Sequence, residues 1–341
     1  MNIKEISKLA NVSVATVSRV VNNDPKVRQA TKEKVEQIMK EFNYKPNSYA
    51  TRLSKGVTDN IIGLIVPDVG NILFAEMIEV ISNQAEKENF TILLCNTNGE
   101  YEKEKKFTKI LIDYKVKGVI YIPGKYESDK NYTHLKEISL NSVPIVFLDR
   151  EIKGFDFDGV FLDNENISYN ITKEILKTTP KKIYFISGSL DISSANERYL
   201  GFKKTIDELE ISNEEYEIKY GDFKFDSGYR LGEDILKNHK NDELTIYIAN
   251  NTMALGFLKI LKKNSKKFKR ITIAIFGISD VLDMLLDEEN YITCKLPNKE
   301  IAKKSFELLI DKIKNSYTCD EKRKKILCNT TIINRINQKS F

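Results

Sequence analysis

The chain has 341 residues, 41% hydrophobic and 30% charged, with 17 Phe and 16 Tyr against 15 Gly and 7 Pro. At roughly 100–200 residues per domain that allows two or three domains with real cores, and it excludes disordered, collagen-like and low-complexity classes. No apolar run nears the ~20 residues that cross a bilayer, and Met1–Glu5 shows no basic stretch leading into an apolar one. Cys95, Cys294, Cys319 and Cys328 lack CxxC spacing and only two histidines are present, which argues against a disulfide framework or a metal site. The expectation is a cytoplasmic protein with no metal and no cofactor.

Charge is unevenly spread. Of 54 basic and 49 acidic side chains, residues 1–60 hold eleven and six, so 43 of each remain in 61–341. The whole excess lies in the first sixth of the chain. A basic head on a neutral body suggests a nucleic-acid module, because phosphate contacts supply most non-specific affinity. Chance on a Lys-rich chain is the alternative.

Within that head, Asn2 and Glu5 fit a helix start, and Ile3, Ile6, Leu9 and Ala10 give one apolar face. Asn11-Val12-Ser13 interrupts, and Ser13 can cap a second helix that begins at Val14 and buries Val17, Val20 and Val21. Thr31 opens a third, with Val35, Ile38, Met39 and Phe42 on one face. Two short helices, a three-residue turn and a closing helix describe a helix-turn-helix unit. Arg19 can then fork onto guanine, Val14 and Ala15 can touch a thymine methyl, and Ser13, Thr16, Ser18 and Asn22 are short donors for phosphate oxygens. A three-helix protein-binding unit with a solvated polar face would show the same periodicity.

The literal residues go further. The run Leu9-Ala10-Asn11-Val12-Ser13-Val14-Ala15-Thr16-Val17-Ser18-Arg19-Val20-Val21-Asn22 resembles the recognition motif of LacI/GalR-type bacterial transcription regulators. Tyr44-Lys45-Pro46-Asn47, with Ala50 and Leu53, resembles their hinge, and Ile62-Gly63-Leu64-Ile65-Val66-Pro67-Asp68 the opening of their effector core. Asn11 stands where glycine is usual, and asparagine tolerates a left-handed turn. Residues 47–54 are too short for an isolated helix in water. The resemblance implies that two copies pair on DNA and that Leu53 wedges into the minor groove beside small Ala50. A plain polar linker is the alternative. The division implied is 1–57, the DNA-binding head with its hinge helix, and 58–341, an effector-binding and dimerisation core.

In the body, short Ile/Val/Leu runs alternate with amphipathic stretches. Strands are expected at 61–66, 91–95, 119–122, 145–148, 160–162, 183–186, 218–220, 245–249, 271–276 and 292–296, with a last one in 330–334. Helices fall between them, for example at 75–87, 167–177, 198–209 and 252–262. This is the α/β pattern of two doubly wound parallel sheets, a periplasmic-binding-protein-like core behind a three-helix head. The resemblance implies crossings between subdomains near 160, 290 and 320. Basic runs at 259–270 and 322–325 read as solvated faces, and His134, in a polar stretch, as a surface residue.

Ligands of such folds bind beyond the carboxyl ends of strands. Those ends supply Asn71, Phe74, Asp149, Arg150, Ser194, Arg198, Phe223 and Asn250: aromatic faces for stacking, amides and guanidinium groups for orientation. Phe74, Arg150, Arg198, Phe223 and Asn250 also match effector-contacting positions of the family. Asp149 as a loop cap, Asn250 as a helix cap and Phe74 as core are the structural alternatives. Gly277 stands where the family usually has an aspartate that accepts sugar hydroxyls, and Asn251 where aspartate is common. That departure admits a less hydroxylated or phosphorylated ligand, or control by a protein corepressor.

The expected protein is a homodimeric repressor of a carbohydrate-utilisation operon that binds a palindromic operator and a sugar-like effector. A solute receptor on the same body is opposed by the basic head. An enzyme is opposed by the lack of GxxxxGK[ST], GxGxxG and GxSxG motifs.

Overall fold

A computed structural model describes residues 3–21, 24–42, 60–127, 130–286, 291–315 and 323–336. Packing divides the chain into Met1–Asn60 and Ile61–Phe341, each with its own core.

The head consists of α1 (Ile3–Ala10), α2 (Val14–Val21) and α3 (Gln29–Glu41). Ile6, Ala10, Val17, Val20 and Val35 form its centre, with Ile38 and Met39 against it. The turn between α1 and α2 is specified residue by residue. Asn11 adopts φ +53°, the left-handed value a helix C-terminus favours, and Val12 N–H returns to Ser7 O (3.0 Å). Ser13 Oγ accepts the Thr16 N–H (3.0 Å) and so caps α2.

Three expectations for the head are corrected. Leu9 is 48% exposed. On a 100° wheel it lies about 60° to one side of Ile6, whereas Ala10, Ile3 and Ser7 fill the other side. Ser7 is tolerated in the core because its hydroxyl bonds Lys4 O (2.8 Å). Phe42 is exposed at the C-cap of α3, and α3 begins at Gln29, two residues before Thr31, with Arg28 offering no side-chain cap.

The body holds two six-stranded sheets. The first runs β11-β5-β4-β3-β1-β2, built from β1 (Ile61–Val66), β2 (Thr91–Asn96), β3 (Gly118–Tyr121), β4 (Ile145–Leu148), β5 (Asp158–Leu162) and β11 (Lys325–Cys328), all parallel. The second runs β12-β10-β9-β8-β6-β7, from β6 (Ile183–Ser187), β7 (Tyr216–Tyr220), β8 (Glu243–Ile248), β9 (Arg270–Ile275), β10 (Tyr291–Cys294) and β12 (Ile332–Asn334). Among the described residues, only the β10–β12 pair is antiparallel. All expected strands form, with ends displaced by at most two residues. Covering helices are α4 (Ile72–Lys87), α5 (Tyr101–Asp113), α6 (Thr133–Leu140), α7 (Asn164–Leu176), α8 (Ser193–Glu208), α9 (Phe225–Asn238), α10 (Asn251–Asn264), α11 (Asp280–Leu285) and α12 (Asn298–Lys314).

Side-chain caps start α4, α7 and α10 before the expected positions. Asn71 Oδ1 accepts from Leu73 N–H and Asp163 Oδ1 from Asn166 N–H. Gly201 lets α8 lie close on α7: a Cβ there would come 2.1 Å from Glu165 O. The chain passes between lobes after Leu162, at 295–297 and at 329–331. The last passage falls about ten residues beyond the expected position, because the segment before it forms β11. Its Lys325 and Leu327 point outward from an edge strand paired with β5, and Arg323 is held by Asp156 (2.8 Å) and Glu151. Residues 323–325 of the basic run are therefore strand edge and ion pair rather than a merely solvated face, and residue 322 lies outside the described residues. His134 is also corrected: it is buried in α6 between the rings of Tyr101 and Tyr132. Neither ring nitrogen has a hydrogen-bond partner, and burial lowers its pKa to about 4.

Candidate functional sites: a helical face and an interlobe cleft

In the head, burial of Val17 and Val20 turns the opposite side of α2 to solvent. Ser13, Val14, Ala15 and Arg19 are exposed there, and Thr16 and Ser18 half-buried. Arg19 makes no ion pair among the described residues. Ser13 and Thr16 differ from expectation in one respect: their hydroxyls face each other (2.9 Å), and the Ser13 oxygen is occupied by its cap. Asn22, Tyr44, Asn47, Ala50 and Leu53 lie outside the described residues.

In the body, the carboxyl ends of β1, β4, β6, β7 and β8 converge. An outer cavity of about 160 Å³ is lined by Asp68, Asn71, Lys125, Arg150, Asp222, Phe223 and Lys224, among others. An inner chamber of about 20 Å³ adjoins it at Asn71, Phe74, Arg150 and Phe223. All eight residues expected at the cleft, Asn71, Phe74, Asp149, Arg150, Ser194, Arg198, Phe223 and Asn250, line the inner chamber.

Most of them hold one another. Arg150 lies between the rings of Phe74 (5.2 Å) and Phe223 (5.8 Å), pairs with Asp149 (3.4 Å) and donates to Pro123 O (3.3 Å). Arg198 stacks on Phe276 (3.8 Å) and donates to Asn164 Oδ1 (2.9 Å) and Ala249 O (2.7 Å). Burial lowers the pKa of both guanidinium groups, and the Asp149 carboxylate opposes that shift in both. Asn250 caps α10 through Met253 N–H (3.0 Å) and donates to Phe223 O (3.0 Å). The helix-cap alternative for Asn250 and the core alternative for Phe74 are therefore realised in residues that also line the chamber. Asp149 pairs with Arg150 and, like Phe223, has positive φ (+64° and +67°), conformations uncommon outside glycine that gather at binding sites.

Residues not anticipated also contribute. Asn298 opens α12, lines the inner chamber and donates to Glu76 Oε2 (2.9 Å). It follows the end of β10, where the same strand-end rule would have found it. Lys125 lies in the loop after β3 and pairs across the cleft with Asp191 (3.2 Å), while Tyr126 N–H donates to Asp191 O (2.8 Å). Glu151 N–H reaches Ser193 Oγ (3.1 Å), a third bridge between the lobes.

A helix-turn-helix head with a free basic face, joined to a two-lobed body with a polar cleft, defines a DNA-binding transcription regulator of the ligand-cleft type. Residues 2–47 match the model for bacterial regulatory proteins of the lacI family, and residues 62–316 the periplasmic binding protein domain. The chain is 31% identical to the HTH-type transcriptional regulator MalR of Clostridium butyricum, over 98% of both proteins. It is 28% identical to the HTH-type transcriptional repressor PurR of Vibrio atlanticus, over 92% of each. The chain belongs to the LacI family, whose members here are regulators and not enzymes. Two solved structures share the fold. The Pseudomonas putida Cra regulator in complex with fructose 1-phosphate has TM-score 0.72 and 17% identity, covering 82% of this chain and 99% of its own. The lac repressor dimer bound to operator has TM-score 0.67 and 20% identity, covering 98% of each.

Proposed function

We propose that this regulator is a homodimeric repressor of a carbohydrate-utilisation operon, controlled by a sugar or sugar derivative in the interlobe cleft. Supporting this most directly is the convergence of residues from both lobes on one cleft, beside the Lys125–Asp191, Tyr126–Asp191 and Glu151–Ser193 bridges. A ligand that prefers one lobe arrangement shifts the population toward it, and the heads of a dimer respond in their spacing. The fructose 1-phosphate bound by Cra and the operator held by the lac repressor dimer support the same reading. Val14–Asn22 enters the major groove of each half of a palindromic site, in the cytoplasm, and the hinge bends its centre through Leu53. No described helix is long and apolar enough to cross a membrane.

Control by a protein corepressor is the second reading. It rests on Gly277, which stands where the family usually has an aspartate, has φ +86° and packs against Leu296 of the inner chamber. A duplex from the chain's own promoter region carrying an inverted repeat should bind with strong salt dependence. A thermal-shift screen of sugars and sugar phosphates then separates the two readings, since a ligand at 100 times its dissociation constant stabilises by about 2.7 kcal/mol. Hits that also release the duplex support effector control, and a flat screen supports the protein partner.

A further inference from the structure

We propose that Glu104 is a positioning residue for 123–127, the stretch of cleft wall that reaches across to Asp191, and that parting of the lobes releases a proton from its carboxyl. This rests on the reading of the cleft as the regulated site and adds a second input to it.

The stretch is held at every residue. Pro123 O accepts from Arg150 Nη1 (3.3 Å), Gly124 N–H donates to Glu104 Oε1 (2.8 Å), and Glu127 N–H donates to the Tyr132 hydroxyl oxygen (2.9 Å). The two residues between them face the other lobe. Lys125 Nζ pairs with the Asp191 carboxylate (3.2 Å), and Tyr126 N–H donates to Asp191 O (2.8 Å). Asp191 lies between β6 and α8, so it moves with the second lobe. Glu104, in the first turn of α5 and 1% exposed, anchors this bridge from beneath.

Two residues without side chains lie between that carboxyl and the cleft. Gly99 and Gly124 both line the outer cavity, and a Cβ at Gly124 would come 2.7 Å from Gly99 Cα and 2.9 Å from Glu104 Oε1. When Asp191 withdraws, the stretch loses both of its cross-lobe holds, and water reaches Glu104 between the two glycines.

The electrostatics give this movement a sign. Burial lifts the Glu104 carboxyl from 4.5 to about 7, against the Tyr121 hydroxyl of β3, the Gly124 N–H and the Arg150 guanidinium, while Glu127 adds to the rise. Tyr101 and Tyr132 also face it, and burial raises both, so they stay neutral in this range. His134, against both of those rings, is neutral above about 4. Hydrated by an open cleft, the carboxyl falls back toward 4.5 and ionises. Closed lobes therefore bind a proton that open lobes release, and a rise in pH from 4.5 to 7 favours opening.

Hydrogen exchange of the full chain tests this without any ligand, because the Gly124 and Tyr126 amides are themselves the anchor and the bridge. Their rates are followed from pH 5 to 8.5, each divided by its intrinsic rate, in the native chain and in Glu104→Gln, which keeps an acceptor but no charge. Both amides should exchange faster than those of β1, which report global unfolding. In the native chain their protection should fall together by roughly tenfold or more between pH 5 and 7 and level off above 7.5, and Glu104→Gln should be flat. A slope at Gly124 with none at Tyr126, or equal slopes in the two proteins, overturns the coupling whatever a sugar screen returns. Flat profiles in the native chain overturn it without any variant. The expected slopes beside a flat sugar screen uphold the proton link, while the small-molecule reading fails.

Discussion

The head and the cleft solve opposite problems with similar residues. On α2 the charged side chain is left unspoken for: Arg19 is exposed and makes no ion pair among the described residues, and the core beneath it is complete without it. In the cleft many polar groups already hold a neighbour, as Asn250 holds both α10 and Phe223, and Arg198 holds Asn164 and Ala249. A face that meets a large rigid partner can afford idle donors, since water satisfies them until DNA arrives. In a buried chamber an idle polar group costs stability at all times, and the Ser194 hydroxyl and Asn298 Oδ1 carry that cost. Function and stability should therefore separate in the head and remain coupled in the body.

The sharpest way to break that contrast is Arg19→Ala. Each lost base contact is worth about 1–3 kcal/mol and a dimer loses two, so operator affinity should fall by ~10²-fold or more, with stability changed by no more than ~0.5 kcal/mol. Anisotropy titration beside a melting curve measures both. A large drop in Tm would show that the head is not built as described.

In the body, pH reaches the cleft wall through buried groups. Glu104 on α5 accepts the Gly124 N–H (2.8 Å), and Gly124 lines the outer cavity. Burial lifts its carboxyl from 4.5 to about 7. The native state thus keeps a proton that the unfolded chain releases, so stability declines as pH rises through that window, by about 3 kcal/mol. Glu104→Gln retains an acceptor and should flatten the decline. His134 has the opposite sign. Its imidazole is neutral in the native state down to about 4 but takes a proton in the unfolded chain below 6.5, so stability is lost on acidification. His134→Phe should remove that loss. Urea midpoints from pH 4 to 8 test both, and an unchanged profile in either variant contradicts its burial.

Smaller effects compare like with like. Ser13 and Asn250 both cap helices, and their alanine variants should each cost about 1–2 kcal/mol. Only Asn250→Ala should also change ligand-dependent melting, because its amide fixes the Phe223 backbone that forms the chamber wall. Matching ligand responses in the two variants would dissolve the proposed coupling.

Much of this was legible in the sequence, for reasons that particular residues make clear. Continuous Ile/Val/Leu runs marked the central strands, because strands buried on both faces have no polar register to keep. β11 was not legible, since Lys325-Ile326-Leu327-Cys328 follows a basic run and an edge strand presents its charges outward. His134 was misread because a polar stretch need not be a surface stretch when aromatic rings close over it. All eight residues named for the cleft line the inner chamber, because topology puts strand ends together and the family resemblance pointed to five of the same positions. The cap by Ser13 was legible because its partner is three residues away, whereas the stacking of Arg198 on Phe276 and the unsatisfied Ser194 hydroxyl were beyond reach, because each depends on a partner distant in sequence or on a rotamer.

The order of the strands has a further consequence. The first sheet receives its outer member, β11, only after the whole second sheet but one strand has been made, and β12 then finishes the second. Neither lobe is an uninterrupted stretch of polypeptide. During synthesis the nascent chain must hold both with an open border until residue 328 has left the ribosome, and no single cut releases either one whole. Excising a lobe for separate study would require a rejoined chain.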